Sequence, residues 1–411
     1  MNYEPRTMSD NKANNKDHES EFNKLSALSS SPSAPCSTPS ALCSPPPALS
    51  SRLSAPDSPL SALRSMPLAV SIVIITRDTK ELLKGLLISI EKDVPLKPFL
   101  KEVIVVNNAS TDETDIMVKE KFPWVVSIQN ERNMGFAASA NQGISRSTGT
   151  YILFLNSDTL VIPGEIEKML KFMDENKDVG ICGPQLVYPD MEPQRSFAYI
   201  PSLLLEIVPR SLFSAPHSTL SALSSLLSAP RSTPSTPDSP PSALSPQPST
   251  PRSPLDVPSL IGAAIMVRRE VLETLTGFDE RFFFFLEETD LCLRAKSMGQ
   301  RVVFLPEAKV IHLQGKTVGK NWVKGRIEYN ISLHKFIQKH HVAPYSMLFK
   351  GVRIFKSFIF LVVVTCLPFL LFHKKTRRSY IYYFTLLLWH LSSCPDTAGL
   401  RPIAKSMEQG A

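Results

Sequence analysis

Two tracts of low sequence complexity limit how much of this 411-residue chain can fold. Residues 26–65 and 214–254 consist almost entirely of Ser, Pro, Ala, Leu and Thr, and show neither the helical nor the strand period. The pattern Pro-Asp-Ser-Pro-x-Ser-Ala-Leu occurs at 56–63 and again at 237–244, which indicates one repeated element. We predict that both tracts are disordered, the second as a tolerated insert, because doubling a surface loop costs only about 0.6 kcal/mol. A Pro-rich ligand for a partner domain is the alternative.

Positive charge is concentrated near the carboxyl end. Residues 316–378 contain thirteen Lys or Arg and a single acid, Glu328, whereas the net charge of the whole chain is only +7. Apolar runs at 358–372 and 380–391 flank a basic cluster at 373–378, and each is shorter than the roughly 20 residues of a spanning helix. We predict an interfacial helix pair or re-entrant hairpin on a membrane surface, with the basic residues on anionic headgroups. A spanning helix and buried core helices remain alternatives.

The amino-terminal residues and the cysteines indicate the cellular compartment. Residues 1–23 are polar and acidic and show no secretory signal, so we expect the catalytic part in the cytoplasm, at the cytoplasmic face of the inner (cell) membrane. The six cysteines lack the spacing of a metal site, and we expect free thiols. Nucleic acid is not an expected partner, because the long apolar run beside the basic stretch would not contribute to binding it.

Strand and helix patterns alternate from about residue 67. Helical spacing of apolar residues at 81–90 and a helix opened by 133–138 separate short apolar strands. The predicted strands are 70–76, 103–106, 124–129 and 151–155. This order predicts an α/β layered domain whose ligands bind at the carboxyl ends of the strands.

Polar residues follow three of these strands directly. They are Thr76, Arg77 and Asp78, then Asn107 and Asn108, then Asn156, Ser157 and Asp158. We expect them to converge on one edge of the sheet and to form a binding site there. The turn after the first strand has no glycine, which argues against a dinucleotide-binding enzyme, and no Walker-type motif is present.

Motifs spread along the chain resemble those of family 2 glycosyltransferases, especially the rhamnosyltransferase-like branch of cell-surface polysaccharide synthesis. The resemblance covers roughly residues 68–200 and 255–315, and its number of motifs and their order make it specific. The matching segments are 72–76, 106–114, 133–143, 154–158, 261–269, 277–282 and 287–294. The resemblance implies a GT-A-type domain with a mostly parallel central sheet, and transfer of a sugar from a nucleotide diphosphate carrier.

Cleavage of a sugar–phosphate bond leaves negative charge on the diphosphate, which a hard divalent cation such as Mg²⁺ or Mn²⁺ stabilises well. Asp158 is our leading metal ligand because it follows an apolar strand, and Asn156 points to the same side. A turn or helix cap is the alternative role of such an Asp. In the resembling enzymes a His at the place of His312 can complete the metal shell, and a neutral imidazole suits this.

The acceptor hydroxyl must lose a proton, which requires a carboxylate base. Glu288 is the candidate, and the family usually carries Asp at this place. Asp290 is a rival, and simple capping of the helix that ends near Met298 is the alternative for both acids. Arg294 lies one helical turn after Asp290, where it either forms an ion pair or contacts the diphosphate.

The resemblance also implies residues for the nucleotide sugar. Thr76, Asn107, Asn108 and Asp112 are expected to bind a uracil- or thymine-type base and its ribose, although family members commonly have Asp at the place of Asn107. The remaining donor-site candidates are Arg77, Asp78, Asn133, Gly135, Asn156 and Arg294. A glycine at 135 lets the backbone approach a sugar or phosphate, or simply opens a helix.

We therefore predict an inverting, metal-dependent transfer from a UDP- or dTDP-linked sugar to a glycan, or lipid-linked, acceptor. The alternatives are a catalytically inactive scaffold that binds glycan or membrane, and a sugar-nucleotide pyrophosphorylase, whose Gly-rich first loop is missing at 76–80. The predicted segments are 1–66 (disordered), 67–213 (nucleotide-sugar half), 214–254 (insert), 255–345 (acceptor half and following helix), 346–395 (membrane-associated) and 396–411 (tail).

Overall fold

The computed structural model describes residues 68–207, 253–313 and 322–401. The predictions made for residues 1–66, for the insert at 214–254 except its last two residues, and for the last ten residues lie outside this part of the chain. Most of the motifs that resemble glycosyltransferases lie within it.

The predicted strands form the centre of a sheet that contains nine strands of the described residues. Their order is β3-β2-β1-β4-β10-β6-β11-β5, and β8 pairs with β11 beside this path. The strands are β1 (Val70–Thr76), β2 (Leu100–Asn107), β3 (Val126–Gln129), β4 (Tyr151–Asn156), β5 (Thr159–Val161), β6 (Val179–Val187), β7 (Phe197–Ala198), β8 (Leu255–Asp256), β9 (Ser259–Leu260), β10 (Ala264–Arg268) and β11 (Arg301–His312). Strands β7 and β9 form a separate antiparallel pair.

The first four strands are parallel neighbours, as their unbroken apolar sequences predict. Ile72 lies beside Val103 on one side and Leu153 on the other, and none of the three is more than 1% exposed. Strand β3 begins two residues later than predicted. A turn occupies its expected start, where the amide of Val125 donates to the carbonyl of Phe122.

The expectation of a mostly parallel sheet is wrong for the second half. Strand β10 runs antiparallel to both β4 and β6, and β5 and β8 run antiparallel to β11. Only β6 and β11 are parallel there. The sheet is mixed because β10, from beyond the predicted insert, enters between two strands that precede it. The predicted halves 67–213 and 255–345 therefore share one sheet.

Helices cover both faces of this sheet and bury their apolar stripes in two core clusters. They are α1 (Lys80–Glu91), α2 (Thr114–Lys121), α3 (Phe136–Arg146), α4 (Glu165–Glu175), α5 (Leu203–Ile207), α6 (Arg269–Leu275) and α7 (Glu287–Ser297). Helix α1 buries Leu83, Leu86 and Leu87, which lie on one side at helical spacing. The predicted α/β class is confirmed.

Three further helices follow the sheet: α8 (Trp322–His340), α9 (Ala343–Cys366) and α10 (Lys374–Leu391). Phe349 anchors α9 in a cluster with Phe282, Leu286 and Phe336. Much of the apolar surface beyond it is open, because Phe355 is 64% exposed and Phe372 is 92% exposed. The alternative that these runs form buried core helices is therefore wrong. Among the described residues, no helix combines the length and the apolar character needed to cross a bilayer.

The cysteines agree with the expectation from sequence as far as the structure describes them. Cys182, Cys292, Cys366 and Cys394 are all free thiols. Burial raises the pKa of Cys292 to about 11, so this thiol stays protonated and unreactive.

Candidate active site

The carboxyl ends of β1, β2 and β4 meet at one edge of the sheet, as predicted. The Thr76 and Thr79 hydroxyls lie 2.8 Å apart, and Thr79 donates to the Ser157 hydroxyl at 2.9 Å. The amide of Asn108 donates to the carbonyl of Thr76 at 2.8 Å. These contacts join three turns that are distant in sequence into one polar surface.

Two carboxylates of this edge hold the turns themselves. Asp78 accepts from the amide of Thr111 at 2.7 Å, and Asp112 accepts from the amide of Lys80 at 2.8 Å. The two loops are thereby tied to each other across the parallel strands. Arg77 is exposed beside them, with its Nε 3.6 Å from the Asp78 carboxylate.

The two asparagines after β2 face different partners. The Asn107 Oδ1 accepts from the amide of Ser110 at 3.1 Å, and its Nδ2 makes no hydrogen bond within the described residues. The Asn108 side chain instead donates to Asn133 Oδ1 at 2.8 Å and accepts from the amide of Met134 at 2.8 Å. Asn108 and Asn133 therefore shape the loop before α3, whereas Asn107 keeps a donor for a ligand.

Gly135 brings the two predicted halves into contact. It has φ +82°, and a methyl group there would lie 2.5 Å from the carbonyl oxygen of Phe283. The amide of Phe136 donates to that same carbonyl at 2.7 Å. The close approach that this glycine permits is to the protein backbone just before α7.

Asp158 and His312 face each other at the centre of the edge. The Asp158 Oδ1 lies 3.6 Å from the His312 Nε2, and the two residues are 5% and 7% exposed. Strands β5 and β11 bring them together, because Thr159 pairs with His312 and the amide of Leu313 donates to the Asp158 carbonyl at 2.8 Å. The two predicted metal ligands are thus neighbours although 154 positions separate them in the sequence.

A third residue, Gln194, sets the state of the His312 ring. The Gln194 Nε2 donates to the carbonyls of Val187 and His312, which leaves its Oε1 as an acceptor 3.1 Å from the His312 Nδ1. The His312 Nδ1 therefore donates to this oxygen, and its Nε2 is the ring nitrogen that faces Asp158. Sequence reasoning missed Gln194, because its contact spans 118 positions and no local pattern marks it.

Glu288 lies partly buried at the start of α7. Its side chain packs over Gly262, where an added methyl would lie 3.4 Å from the Glu288 Cγ. The next residue, Ala263, accepts from the amide of Asn156 at 2.9 Å, so Glu288 belongs to the same edge as Asp158. Burial raises the pKa of Glu288 to about 7. A carboxyl group with that pKa can accept a proton near neutral pH.

Its neighbour Glu287 is more deeply buried, and its Oε2 has no hydrogen-bond partner within the described residues. Burial, together with the charge of Glu288, raises the pKa of Glu287 well above the ordinary range.

Asp290 is fully buried and is enclosed by two cations and an imidazole ring. Its carboxylate lies 2.7 Å from the Arg294 Nε, 2.6 Å from the Lys339 Nζ and 2.8 Å from the His340 Nε2. Arg294 also donates to the carbonyls of Leu275 and Gly277. The structure therefore shows the ion pair between Asp290 and Arg294, and this cluster fastens α7 to α8.

The sequence matches known proteins over the region that carries this site. Residues 71–226 match the family model described as Glycosyl transferase family 2. The chain is 23% identical over 250 residues to the N-acetylglucosaminyl-diphospho-decaprenol L-rhamnosyltransferase of Mycobacterium tuberculosis, covering 58% of this chain and 75% of that protein. It is 27% identical over 246 residues to the O-antigen biosynthesis protein RfbC of Myxococcus xanthus, covering 59% of this chain and 17% of that protein.

Among solved structures, the chain is similar to the mannosyltransferase PcManGT from Pyrobaculum calidifontis in complex with GDP-Man and Mn²⁺. The TM-score is 0.47 at 16% sequence identity, over 78% of this chain and 87% of that one.

The sheet-edge site and the sequence relatives together define the protein as a glycosyltransferase. More particularly, residues 71–226 are similar to glycosyltransferase family 2, and the relatives are named for rhamnosyl transfer and polysaccharide biosynthesis.

Proposed function

We propose that this protein transfers a sugar, with inversion, from a UDP- or dTDP-linked donor to a hydroxyl of a lipid-linked glycan during cell-surface polysaccharide synthesis. The observation that carries the proposal is the buried pair of Asp158 and His312 beside the polar turns that follow β1 and β2. The name of the mycobacterial relative, whose acceptor is a diphospho-decaprenol, supports a lipid-linked acceptor.

Asp158 and His312 fit a divalent cation. Two ligand atoms at right angles on Mg²⁺ or Mn²⁺ lie about 3 Å apart, so the observed 3.6 Å needs only a small closure of the pair. One carboxylate oxygen and one imidazole lone pair are suitable donors. A cation held there stabilises the charge that develops on the departing diphosphate.

The turns of this edge hold the rest of the donor. The Asn107 Nδ2 can donate to a carbonyl of a uracil or thymine base, while the rigid frame around Asp112 and Asn108 fixes its position. Arg77 lies exposed at the same edge and can neutralise the diphosphate. Binding energy spent here orients the sugar toward the start of α7.

Glu288 then takes the proton of the acceptor hydroxyl. With a pKa of about 7, close to the operating pH, it combines a useful fraction of carboxylate with a real driving force for proton transfer. An acceptor that attacks from the face opposite the leaving diphosphate yields inversion. Enclosed by Arg294, Lys339 and His340, Asp290 holds α7 in place and does not reach the acceptor.

The carboxyl-terminal helices give the enzyme a membrane surface. Phe369 and Phe372 precede the exposed basic residues Lys374, Arg377 and Arg378. Apolar side chains next to basic ones suit the boundary between acyl chains and anionic headgroups. We propose that these helices lie on the cytoplasmic face of the cell membrane, where the active site meets its lipid-linked acceptor.

Isothermal titration with UDP and dTDP, with and without Mn²⁺, tests the donor site. We expect metal-dependent binding of one nucleotide, lost in Asp158→Ala and retained in Asp115→Ala, a matched change at an exposed position on α2. Nucleotide binding that is the same with and without Mn²⁺, and the same in Asp158→Ala, would overturn the metal assignment. No binding under any condition would leave the inactive scaffold as the better reading.

A further inference from the structure

A second group of metal-binding side chains lies away from the active site. His334 of α8, His390 of α10 and Cys394 after α10 each place one ligand atom within 4.8 Å of the others. The Cys394 Sγ is 3.6 Å from the His390 Nδ1. None of the three enters the glycosyl-transfer chemistry described above. Their positions also have no regular sequence spacing, so the site could not be predicted from the sequence.

The surroundings of these side chains leave nitrogen atoms without partners. The Nε2 atoms of His334 and His390 are buried and make no hydrogen bond within the described residues. The His334 ring packs 5.2 Å from the rings of both His390 and Trp389. A buried polar atom that lacks a partner is costly, and its presence in a folded protein indicates a ligand or ion.

We propose that His334, His390 and Cys394 form a zinc site. Imidazole nitrogens and a thiolate are donors that Zn²⁺ takes in proteins, and water can supply the fourth position. Ligand atoms on a tetrahedral zinc lie about 3.4–3.6 Å apart. The Cys394 Sγ already has that separation from the His390 Nδ1, and the unpartnered Nε2 of His334 is the free donor of the third side chain, with one ligand atom of each residue within 4.8 Å of the others.

The local charges are compatible with this assignment. Burial lowers the pKa of His334 to about 3 and that of His390 to about 4, so both rings are neutral and able to bind metal at pH 7. Arg353 and Lys350 act on both rings, but Arg353 is paired with Glu206 at 2.6 Å. A thiolate at Cys394 would offset the remaining positive charge.

Zinc at this place would fasten the end of the chain to α8. Trp389 Nε1 donates to the carbonyl of Pro395 at 3.0 Å, and the amide of Leu400 donates to Glu328 at 2.8 Å. These bonds already hold residues 395–400 against α8 and α10. The proposed site adds a further link at the turn between them, and we assign it a structural role because it lies away from the glycosyl-transfer residues and ties the end of the chain to α8.

The test is titration of the metal-free, reduced full chain with Co²⁺, which reports tetrahedral thiolate ligation by visible and charge-transfer absorption. We expect one thiolate-bound Co²⁺ per chain, displaced by Zn²⁺, and a rise in melting temperature on adding Zn²⁺. The carboxylate–imidazole pair of the active site contains no sulfur, so it cannot produce the thiolate band.

Cys394→Ser should abolish the thiolate band and the zinc-dependent rise in melting temperature. His334→Gln and His390→Gln should weaken Co²⁺ binding at least ~10-fold. Two matched controls should bind Co²⁺ like the parent chain. They are Cys366→Ser, which changes an exposed thiol on α9, and His341→Gln, which changes the residue directly after α8. A parent chain without the thiolate band, or a band that survives Cys394→Ser, would overturn the proposal. Because the parent chain is itself tested, a misfolded variant cannot decide the outcome.

Discussion

Three acidic side chains of the candidate active site have different capacities because their neighbours differ. Asp158 faces a single imidazole, Asp290 is enclosed by Arg294, Lys339 and His340, and Glu288 has no ion pair within the described part of the chain. A carboxylate beside one imidazole can bind a metal, an enclosed one stabilises the fold, and a desolvated one holds a proton until neutral pH. At the scale of single residues, the environment assigns the role.

Replacement of the proposed base tests this assignment. Glu288→Gln should lower kcat by about 10²–10⁴-fold while donor binding stays unchanged, because the amide cannot accept the proton. Since a base must be deprotonated, kcat/KM of the parent enzyme should rise with pH through about 7 and then level off. A steady-state pH profile measures both effects.

Two variants control this experiment. Glu270→Gln, an exposed change on α6, should leave kcat and its pH profile unaltered. Glu288→Asp should retain part of the activity, since the resembling family usually carries Asp there. If Glu288→Gln kept full activity with an unchanged pH profile, the base would have to be another group.

Gln194 offers a second prediction at this scale. Gln194→Leu removes the acceptor of the His312 Nδ1–H, so the ring loses the contact that directs its lone pair to Asp158. We expect activation by Mn²⁺ to require about 10–100-fold more metal, with kcat largely restored at saturation. Activity measured against Mn²⁺ concentration separates this effect from general damage, which would lower kcat at every concentration.

Sequence reasoning selected Asp158, His312 and Glu288 as candidates because each follows or opens a recognisable apolar element, and the structure places them at one sheet edge. It could not identify Gln194 or the partners of Asp290. Lys339 and His340 reach Asp290 from about 50 positions further along the chain, on a helix whose packing no local pattern reveals. Sequence motifs mark the candidate binding residues. The residues that position them can be recognised only from their tertiary contacts.

At the scale of elements, periodicity predicted the parallel strands of the first half and some of the helices. Helix α1 and strands β1, β2 and β4 lie within a few residues of their predicted bounds. The direction of the later strands could not be predicted, because antiparallel pairing of β10 depends on partners more than 75 residues away. The sequence of a short apolar strand predicts that it is a strand, but it does not show which other strands it pairs with.

The close contact between Gly135 and Phe283 leads to a prediction about the packing of the loop before α3 against the residues before α7. Gly135→Ala meets both an unfavourable φ of +82° and the Phe283 carbonyl at 2.5 Å, whereas Gly299→Ala meets an equal φ of +81° with no atom within 4 Å. We expect Gly299→Ala to cost about 1 kcal/mol of unfolding free energy and Gly135→Ala clearly more. Urea denaturation compares the two variants directly. Equal losses would show that contact with Phe283 is unimportant.

At the scale of the whole molecule, charge and apolar surface coincide at the carboxyl-terminal helices. We expect the protein to bind vesicles that contain anionic lipid, and to release them as salt concentration rises. Lys374→Glu with Arg378→Glu should weaken binding by at least roughly fivefold per removed positive charge. Phe372→Ser should weaken it by about tenfold or more, because a 92% exposed ring loses its insertion.

Vesicle sedimentation measures both effects. Val94→Ser, which changes an exposed apolar residue far along the chain from these helices, serves as the matched control and should bind like the parent protein. Equal binding to neutral and anionic vesicles, unaffected by the charge changes, would contradict the proposed surface.

The place of β10 between β4 and β6 has a consequence during synthesis. Both neighbours of β6 and one neighbour of β4 are encoded after residue 263, so a nascent chain exposes unpaired strand edges until residues 264–312 leave the ribosome. Such edges recruit other chains. The 41 positions of 214–254 lengthen that interval by about 2–8 s at ordinary rates of translation. Yield of soluble protein should therefore depend on elongation rate and chaperone supply over this stretch.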